Sequence, residues 1–416
     1  MRFEIVTIGA ELLDGTLVDT NTSEVSLALR RVGGDVGRAT IVPDEPDVIR
    51  AALLAALERA DAVVAMGGLG VTSDDRTKQV AAGIFGRALE LDEEILDSVR
   101  SRFEQLGRPM PEINISQAMV PEGARAIPNA RGTAPGIVLE DEGRLLFLLP
   151  GVPAEMRAML EGYVVPFLEG RGQRREGEER IIRTTGIAES ALAELIEPTA
   201  RRLARTDVSY LPSLTGVDVR VLCRAGGSRS AAATADKAAE RLEELVGRYA
   251  YSRGREGLEE VVGYLLSMKQ RTVAVAESCT GGLLGHRLTA VPGSSDYVNG
   301  GVIAYSDDLK KRLLKVRAGT LRAHGAVSRE VALEMASGAV DRCRSDYGVS
   351  VTGIAGPGGG TEEKPVGLVW MAVSGRRISR ARALRFAGDR EAVRTRAAQA
   401  ALDLLRRVLL DISEDD

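Results

Sequence analysis

The chain has 416 residues, of which 44% are hydrophobic and 4% aromatic, and its formal net charge is −4 at pH 7. This length predicts about two to four domains. Charges of both signs are interspersed, which argues against a surface built for a polyanion. The scarcity of aromatic side chains argues against a stacking platform for single-stranded nucleic acid.

The first 170 residues alternate strand and helix patterns. Strands are predicted at RFEIVTIGA, DVGRATIVP, DAVVAMGGLG and RLLFLLPG, with helices over 21–32 and 46–60. Strands separated by single helices predict a parallel sheet with right-handed crossovers, and so a three-layer α/β domain over 1–170. Ligands of such sheets bind beyond the carboxyl ends of the strands.

A charged segment, EGRGQRREGEER, reads as a linker to a small module over 178–251 with the order strand, helix, strand, strand, helix. A second charged break, YSRGREGLEE, precedes a last α/β/α domain over 256–413. Its strands are predicted at RTVAVAE, YVNGGVIAYS, GVSVTGIAG, 366–374 and 378–386. Its helices are predicted at 256–270, from Gly282, and at 307–315, 328–343 and 389–411.

The composition also limits the available chemistry. Three scattered cysteines exclude a disulfide framework or a CxxC metal site, and two histidines exclude a multi-histidine metal site within one chain. Only seven lysines occur, and the other basic residues are nearly all arginine. Arginine stays protonated at neutral pH, so it cannot replace lysine as a catalytic base. The sequence has no apolar run long enough for a membrane span, and MRFEIVTIG reads as a strand. We therefore expect a cytoplasmic protein without a membrane partner.

The segment MGGLGVTSDDRTK combines glycines, hydroxyls and paired aspartates at a strand end. Glycines let the backbone approach a ligand, and free amides at a helix start suit phosphate. Paired carboxylates suit a hard divalent cation. The alternative is a tight turn in which Ser73 or Asp74 caps a helix beginning at Arg76. Two neighbouring loops, GAELLDGTLVDTNT and NARGTAPG, are also polar or rich in small residues.

The segment AESCTGG places Ser278, Cys279 and Thr280 at a strand-to-helix turn. Such turns expose a side chain and aim amides at a developing oxyanion. A serine nucleophile needs a base. His286 lies within the next helix and His324 near a helix end, so a structural role is favoured for both.

The segment YSDDLK offers another base. Tyr305 ends an apolar strand, and a helix starting at Ser306 would return Lys310 toward the strand end. A buried lysine can lose its charge and act as a base. The alternative is a solvated lysine at a helix start.

Two further segments suit phosphate. The glycine-rich loop VTGIAGPGGGTEEKPVG could wrap a phosphate or supply amides. In FAGDREAVR, Arg390 and Arg394 lie one helical turn apart on one face, which suits a phosphate but also an ordinary solvated helix face.

The blocks GAELLDGTLVDTN, GGLGVTSDDRT, GTAPG and LPGVPAEM resemble the CinA family, named for competence/damage-inducible proteins. The amino-terminal half of that family resembles the MoaB/MogA-type molybdopterin-binding fold. Val71 stands where the family usually has proline. The resemblance implies a metal-dependent pyrophosphatase that converts ADP-ribose to AMP and ribose 5-phosphate. It implies a metal at Glu11, Asp74 and Asp75, with Asp75 also catalytic. The implied ligand-binding residues are Asn21, Gly67, Gly68, Gly70, Thr72, Ser73 and Lys78.

The blocks AESCTGG, PGSS, GGVIAYSDDLKKRLL, HGAVS, TGIAGPGGGTEEKPVG and GDREAVR resemble the carboxy-terminal CinA domain, whose standalone forms are nicotinamide mononucleotide (NMN) deamidases. The resemblance implies Ser278 as nucleophile, with Lys310 and Tyr305 beside it, and no metal or other cofactor. We expect oxyanion stabilisation by amides of Thr280, Gly281 and Gly282 or of the loop beginning at Thr352 and Gly353. Arg390 or Arg394 would hold the 5′-phosphate.

Residues 181–251 resemble the KH-type middle domain of the family. No GxxG loop lies between the expected helices, and RAGGSRS follows a strand, so a spacer or a homodimer contact is favoured over RNA binding. The leading hypothesis is a bifunctional enzyme of pyridine-nucleotide salvage. The alternatives are a molybdopterin-binding protein and a competence-associated interaction protein without catalysis.

Overall fold

The computed structural model describes residues 1–171, 177–224, 231–375 and 377–412 and divides into two units, Met1–Glu176 and Gly177–Asp416. The centre of the predicted linker, nearly all of RAGGSRS, and residue 413 at the predicted end of the last domain lie outside the described residues. None of the helices in these ranges has the length and apolar character needed to cross a membrane.

The first unit is built on a six-stranded sheet. Its strands are β1 Arg2–Ile8, β2 Asp35–Val42, β3 Ala62–Met66, β6 Arg125–Ile127, β7 Gly136–Asp141 and β8 Arg144–Leu149; β4 Leu89–Leu91 and β5 Met119–Pro121 form a separate pair. Its α-helices are α1 Ala10–Leu13, α2 Asn21–Arg31, α3 Pro46–Arg59, α4 Thr77–Ile84, α5 Glu93–Gln105, α6 Pro153–Met159 and α7 Val165–Gly170.

The strand order of this sheet is β2-β1-β3-β8-β7-β6. The first four strands pair in parallel, as predicted, but β7 pairs antiparallel with both β8 and β6. The two residues between β7 and β8, Glu142 and Gly143, both have positive φ angles (46° and 80°). Such a two-residue turn closes a hairpin and is too short for a crossover, so the sheet is mixed.

Successive side chains along β1 point to opposite faces of the sheet, which accounts for the three layers. Phe3 and Ile5 pack with helix α2 on one face, whereas Val6 and Ile8 pack with helix α3 on the other. The carboxyl ends of β1, β3 and β8 therefore share one edge of a sheet that is buried on both faces.

The second unit begins with the small α+β module. It contains β9 Gly177–Thr184, α8 Glu189–Ala200, β10 Thr206–Pro212, β11 Val217–Arg224, α9 Ala231–Val246 and β12 Ala250–Ser252. Its antiparallel sheet has the order β10-β11-β9-β12. The predicted order of elements is confirmed, with β12 as a short addition.

The rest of this unit contains a five-stranded sheet of order β14-β13-β15-β16-β17. Its strands are β13 Val273–Glu277, β14 Val298–Ile303, β15 Tyr347–Gly353, β16 Leu368–Gly375 and β17 Ile378–Arg385. Its helices are α10 Leu258–Met268, α11 Leu283–Thr289, α12 Asp307–Leu314, α13 Ala318–His324, α14 Arg329–Cys343 and α15 Arg390–Leu409.

Helix α13 was not predicted, because its seven residues are too few to show a periodic pattern. Strands β13, β14 and β15 pair in parallel, whereas β16 pairs antiparallel with both β15 and β17. Val273 and Val275 pack against α15 on one face, whereas Ala274 and Ala276 pack against α14 on the other. The ends of β13, β14 and β15 consequently meet at one edge.

Candidate active site

Three chain segments converge at the carboxyl edge of the second unit's parallel strands. Ser278 follows β13, and its N–H donates to the carbonyl of Val351 at 2.9 Å. The N–H of Ala304, after β14, donates to the carbonyl of Glu277 at 2.8 Å. These bonds hold the ends of the three strands in register, so the residues that follow them share one site.

The turn after Ser278 depends on its two glycines. Gly281 and Gly282 have φ angles of +60° and +100°, in the left-handed region that other residues rarely enter. The N–H of Gly281 donates to the carbonyl of Ser278 at 3.1 Å and closes the turn. The chain thereby reverses from β13 into α11 directly beside the serine hydroxyl.

Lys310 reaches that hydroxyl from helix α12. The Ser306 side chain accepts a hydrogen bond from the Leu309 N–H and begins the helix, so Lys310 lies one turn inside it. Lys310 is 1% exposed, which rules out the solvated alternative. Its Nζ lies 3.1 Å from Ser278 Oγ, 3.0 Å from the Ala304 carbonyl and 3.2 Å from the Tyr305 carbonyl.

Burial lowers the pKa of Lys310, while Asp307, whose carboxylate lies 3.8 Å from Nζ, acts in the opposite direction. A neutral amine has two hydrogens and one lone pair. The two carbonyls accept both hydrogens, which leaves the lone pair for the Ser278 hydroxyl. The arrangement therefore suits a neutral lysine that receives a proton from serine.

Glu277 stabilises the turn beside Ser278, a role that the sequence did not predict. It is 1% exposed, and its carboxylate accepts hydrogen bonds from the N–H groups of Gly282, Leu284 and Gly285 at 2.8–3.1 Å. A buried carboxylate at the start of α11 matches the positive end of the helix dipole. The sequence signal for this role is a glutamate that ends an apolar strand just before a glycine-rich helix start.

This carboxylate corrects the expected oxyanion site. The Gly282 amide is bonded to Glu277, and the Gly281 amide to the Ser278 carbonyl. Of the three predicted amides, only that of Thr280 is without a hydrogen bond to the described residues. Beside the Thr280 amide, the Cys279 amide of the same turn is also without a hydrogen bond to the described residues, so an oxyanion here has these two amides available.

We expect Glu277→Gln to destabilise the second unit by about 2 kcal/mol, because an NH₂ group would face backbone N–H donors. Denaturant unfolding monitored by circular dichroism measures the change. Glu362→Gln, at an exposed loop glutamate, is the matched control and should change stability by less than about 0.5 kcal/mol. Equal stability of the two variants would contradict a structural role for the Glu277 carboxylate.

The predicted phosphate-binding arginines lie at the start of α15, beside the same edge. Arg390 donates to the Gly356 carbonyl and to the Tyr305 hydroxyl, both at 2.8 Å. Arg394 donates to the Thr280 carbonyl at 2.9 Å and to Glu391 at 2.7 Å. Through these hydrogen bonds both side chains stabilise the loops of the site.

The Tyr305 side chain is 58% exposed, and its hydroxyl accepts a hydrogen bond from Arg390 rather than from Lys310. Tyr305 contacts the lysine through its backbone carbonyl alone. The expectation that the phenol exchanges protons with the serine and lysine has no support in this geometry. The ring instead lies at the mouth of the site.

Other predicted residues are buried in the scaffold. Thr280 is fully buried, and its hydroxyl has no partner among the described residues. The Thr352 hydroxyl donates to the Ala326 carbonyl at 2.9 Å, and a side chain at Gly353 would clash with Val369. Cys279 is 6% exposed and packs in the core, and burial raises the pKa of its thiol to about 12.

The first unit has a second candidate site where β1, β3 and β8 end. Gly67 has φ +104°, and an added Cβ would lie 2.2 Å from the Ile8 carbonyl oxygen. An added Cβ at Gly68 would lie 2.2 Å from the Thr77 hydroxyl, and one at Gly70 2.5 Å from the Asp75 carboxylate. The glycines are therefore required by close packing of the loop on itself.

The paired-aspartate loop is held by Asp75. The N–H and hydroxyl of Thr72 both donate to the Asp75 carboxylate, at 2.8 and 2.5 Å. Ser73 donates to Asp74 at 3.2 Å. Helix α4 begins at Thr77 without a side-chain cap, so the predicted alternative of a Ser73 or Asp74 cap is wrong. The Thr77 amide donates to the Gly68 carbonyl at 3.2 Å, so among the described residues of this first turn the amides of Lys78 and Gln79 are left for a ligand.

Two buried polar atoms near this loop have no partner among the described residues, the Asn21 amide oxygen and the Thr77 hydroxyl. The Asn21 NH₂ donates to the Gly151 carbonyl at 2.7 Å and so joins the loops after β1 and β8. Lys78 is also buried, and its ammonium donates to the Ser116 carbonyl at 2.6 Å. Burial lowers the pKa of Lys78 to about 8.

No group of three acidic, histidine or cysteine side chains able to hold a metal ion is present in the described parts of the chain. Glu11, Asp74 and Asp75 therefore do not form a complete metal site from protein ligands. Mg²⁺ is commonly held by one or two carboxylates together with phosphates of the substrate. Asp74 and Asp75 fit only a metal site that the substrate phosphates complete, and a metal here stays a prediction.

We expect Gly67→Ala to destabilise the first unit by about 2–4 kcal/mol, because both the φ angle and the Ile8 carbonyl oppose a side chain. Gly86→Ala is the matched control, since Gly86 has φ +62° but open space around it. It should lose only about 1 kcal/mol in the same unfolding experiment. Equal losses would show that the contact with Ile8 is unimportant.

Comparisons with known proteins cover the whole chain. Three family models match it: "probable molybdopterin binding domain" at residues 4–170, "damage-inducible protein CinA KH domain" at 179–252 and "CinA C-terminal domain" at 255–409. With the α/β sheets above, these matches confirm the predicted architecture of a MoaB/MogA-like domain, a KH-like module and a carboxy-terminal CinA domain.

A CinA-like protein of Gemmatimonas aurantiaca is 45% identical over 100% of this chain and 98% of its own. A CinA-like protein of Dictyoglomus thermophilum is 41% identical over 99% of this chain and 100% of its own. A crystal structure of the competence/damage inducible protein CihA from Agrobacterium tumefaciens is 40% identical, over 37% of this chain and 97% of its own, with a TM-score of 0.35. Since the two curated relatives align over nearly their full length, the chain belongs to the CinA family.

Proposed function

We propose that the carboxy-terminal domain hydrolyses the carboxamide of NMN to nicotinic acid mononucleotide and ammonia. One observation carries the proposal: a fully buried lysine contacts the hydroxyl of Ser278, and its other two hydrogen-bond partners are carbonyls. A serine and a neutral lysine so arranged suit acyl transfer.

The reaction begins when Ser278 Oγ attacks the carboxamide carbon and its proton passes to Lys310 Nζ. The tetrahedral intermediate collapses with cleavage of the C–N bond, and Lys310 returns the proton to the departing ammonia. Water, deprotonated by Lys310, then attacks the acyl-serine and releases the carboxylate. Lys310 finally protonates Ser278 Oγ. The amides of Cys279 and Thr280 are the donors of the Ser278 turn left for the oxyanion.

Substrate recognition is assigned to the mouth of the site. The exposed ring of Tyr305 offers a surface for the pyridine ring. Arg390 has N–H groups beyond its bonds to Gly356 and Tyr305 and is available for the 5′-phosphate.

Incubation of the full-length protein with NMN tests this function. Ammonia and nicotinic acid mononucleotide should appear in equal amounts, and nicotinamide riboside, which lacks the phosphate, should react more slowly. Absence of both products from NMN would overturn the proposal.

For the first unit we propose hydrolysis of ADP-ribose to AMP and ribose 5-phosphate. The uncapped start of α4, the glycine loop and the unpartnered Thr77 hydroxyl favour a phosphate there, and the unpartnered Asn21 amide oxygen can accept from a ligand hydroxyl. Asp74 and Asp75 would hold a divalent cation, which would neutralise phosphate charge.

The test is AMP release from ADP-ribose with Mg²⁺, with Mn²⁺ and with a chelator. Asp75→Ala should abolish AMP release without changing ammonia release from NMN. Tight binding of molybdopterin without any AMP release would instead favour the molybdopterin-binding alternative. Absence of all these activities would favour a non-catalytic interaction protein.

A further inference from the structure

The second unit contains a cleft between the α+β module and the last domain, with a volume of about 550 Å³. Its module side is formed by 185–189 and 212–217, and its other side by the end of β17 and by α15. A smaller cavity of about 200 Å³ adjoins it, and Gln399 and Thr215 line both. Ser278 and Lys310 line neither, so this space is separate from the candidate active site.

Gln399 lines this space and carries an unsatisfied donor. It is 3% exposed, and its side-chain oxygen accepts a hydrogen bond from Arg287 at 2.8 Å. That bond fixes the orientation of the amide. Its NH₂ group has no partner among the described residues, and neither does Nη1 of Arg287. Two neighbouring buried donors without acceptors match a ligand that is rich in acceptor oxygens.

The walls of the cleft add positive charge. Arg382, Arg385 and Arg396 line it, and the first two make no ion pair within the described ranges. Of the two acidic residues in the lining, Asp403 already pairs with Arg406 and Arg407, outside the lining, at 2.8 and 2.7 Å. The cleft therefore has a surplus of cationic donors.

Helix α8 strengthens this preference. It begins at Glu189 on the module side of the cleft, and its N-cap, Ala188, provides no side-chain bond. The first amides of α8 are therefore open to a ligand, at the positive end of the helix dipole. Amides, guanidinium groups and the Gln399 NH₂ group thus surround the same space.

We propose that this cleft binds a small phosphorylated molecule, separately from the deamidase site and independently of the function proposed above. The arginines and the α8 amides receive the phosphate, and Gln399 binds a further acceptor oxygen. The volume lies within the range of small-molecule sites. Because the module and the last domain both line the cleft, a bound ligand would contact both of them.

Hydrogen–deuterium exchange of the full-length protein tests the site, with inorganic phosphate, ribose 5-phosphate and AMP as separate probes. We expect at least one probe to slow exchange over 185–191 and 213–216. Arg382→Glu and Gln399→Leu should each weaken this protection at least tenfold in midpoint concentration. The comparison of probes shows whether the phosphate alone is sufficient or the sugar and base contribute.

Arg322→Glu, at an exposed helix arginine away from the cleft, is the charge-matched control and should leave protection unchanged. NMN deamidation should persist in all three variants, and unchanged circular dichroism spectra verify folding independently of that activity. Protection confined to segments around Arg390, no protection with any probe, or equal weakening by Arg322→Glu would each overturn the proposal.

Discussion

Ser278→Ala is expected to lower the rate of NMN deamidation by about 10³-fold or more, because no acyl-enzyme can form without the serine oxygen. Ammonia release at saturating NMN measures the loss. Substrate binding should change little, since the substitution removes one oxygen. AMP release from ADP-ribose should be unchanged, because that activity is assigned to the other unit.

Cys279→Ala is the matched control for the nucleophile. Cys279 is 6% exposed, and burial raises the pKa of its thiol to about 12, so the nucleophilic thiolate is scarce near neutral pH. We expect this variant to retain activity within a few-fold of the unsubstituted protein. Loss of deamidation in Cys279→Ala together with full activity in Ser278→Ala would show that cysteine is the nucleophile.

Lys310→Met should cause a loss similar to that of Ser278→Ala, because the two side chains act as one unit. The pH dependence provides an independent readout. Lys310 must be neutral to accept the serine proton, and burial lowers its pKa. The kcat of the unsubstituted protein should therefore rise with pH to a plateau reached below the ordinary lysine pKa of 10.5. Residual activity of Lys310→Met should not show this rise.

The same pKa shift has a consequence for stability. Burial disfavours the charged form, so the folded protein binds fewer protons at Lys310 than the unfolded chain does. The free energy of unfolding should thus rise with pH, relative to Lys310→Met, between the lowered pKa and 10.5. Lys311→Met, at a half-exposed neighbour 3.6 Å from Asp308, is the control and should retain deamidation. A pH-independent difference between Lys310→Met and the unsubstituted protein would mean that Lys310 titrates alike in both states.

Much of the scaffold was predictable from local pattern. The apolar run before Ser278, the glycine pair after it and the helix start at Ser306 each follow from propensities of a few adjacent residues. The contact between Ser278 and Lys310 was predictable as well, because parallel strands bring their ends to one edge. The antiparallel pairing of β7 with β8 was not, because a tight hairpin turn takes the place of a helix between these strands.

The sequence by itself determined most of the elements and the order of the domains, and the family resemblance of its motifs indicated the serine–lysine pair. Only the tertiary structure decided which amides remain available beside Ser278, because Glu277 uses those of Gly282, Leu284 and Gly285. It also decided that Lys310 is buried and that Gln399 has an unsatisfied donor, since burial and hydrogen bonding depend on residues brought from distant parts of the chain. Local sequence patterns specify backbone conformation, whereas the protonation state and free donors of a site arise from packing.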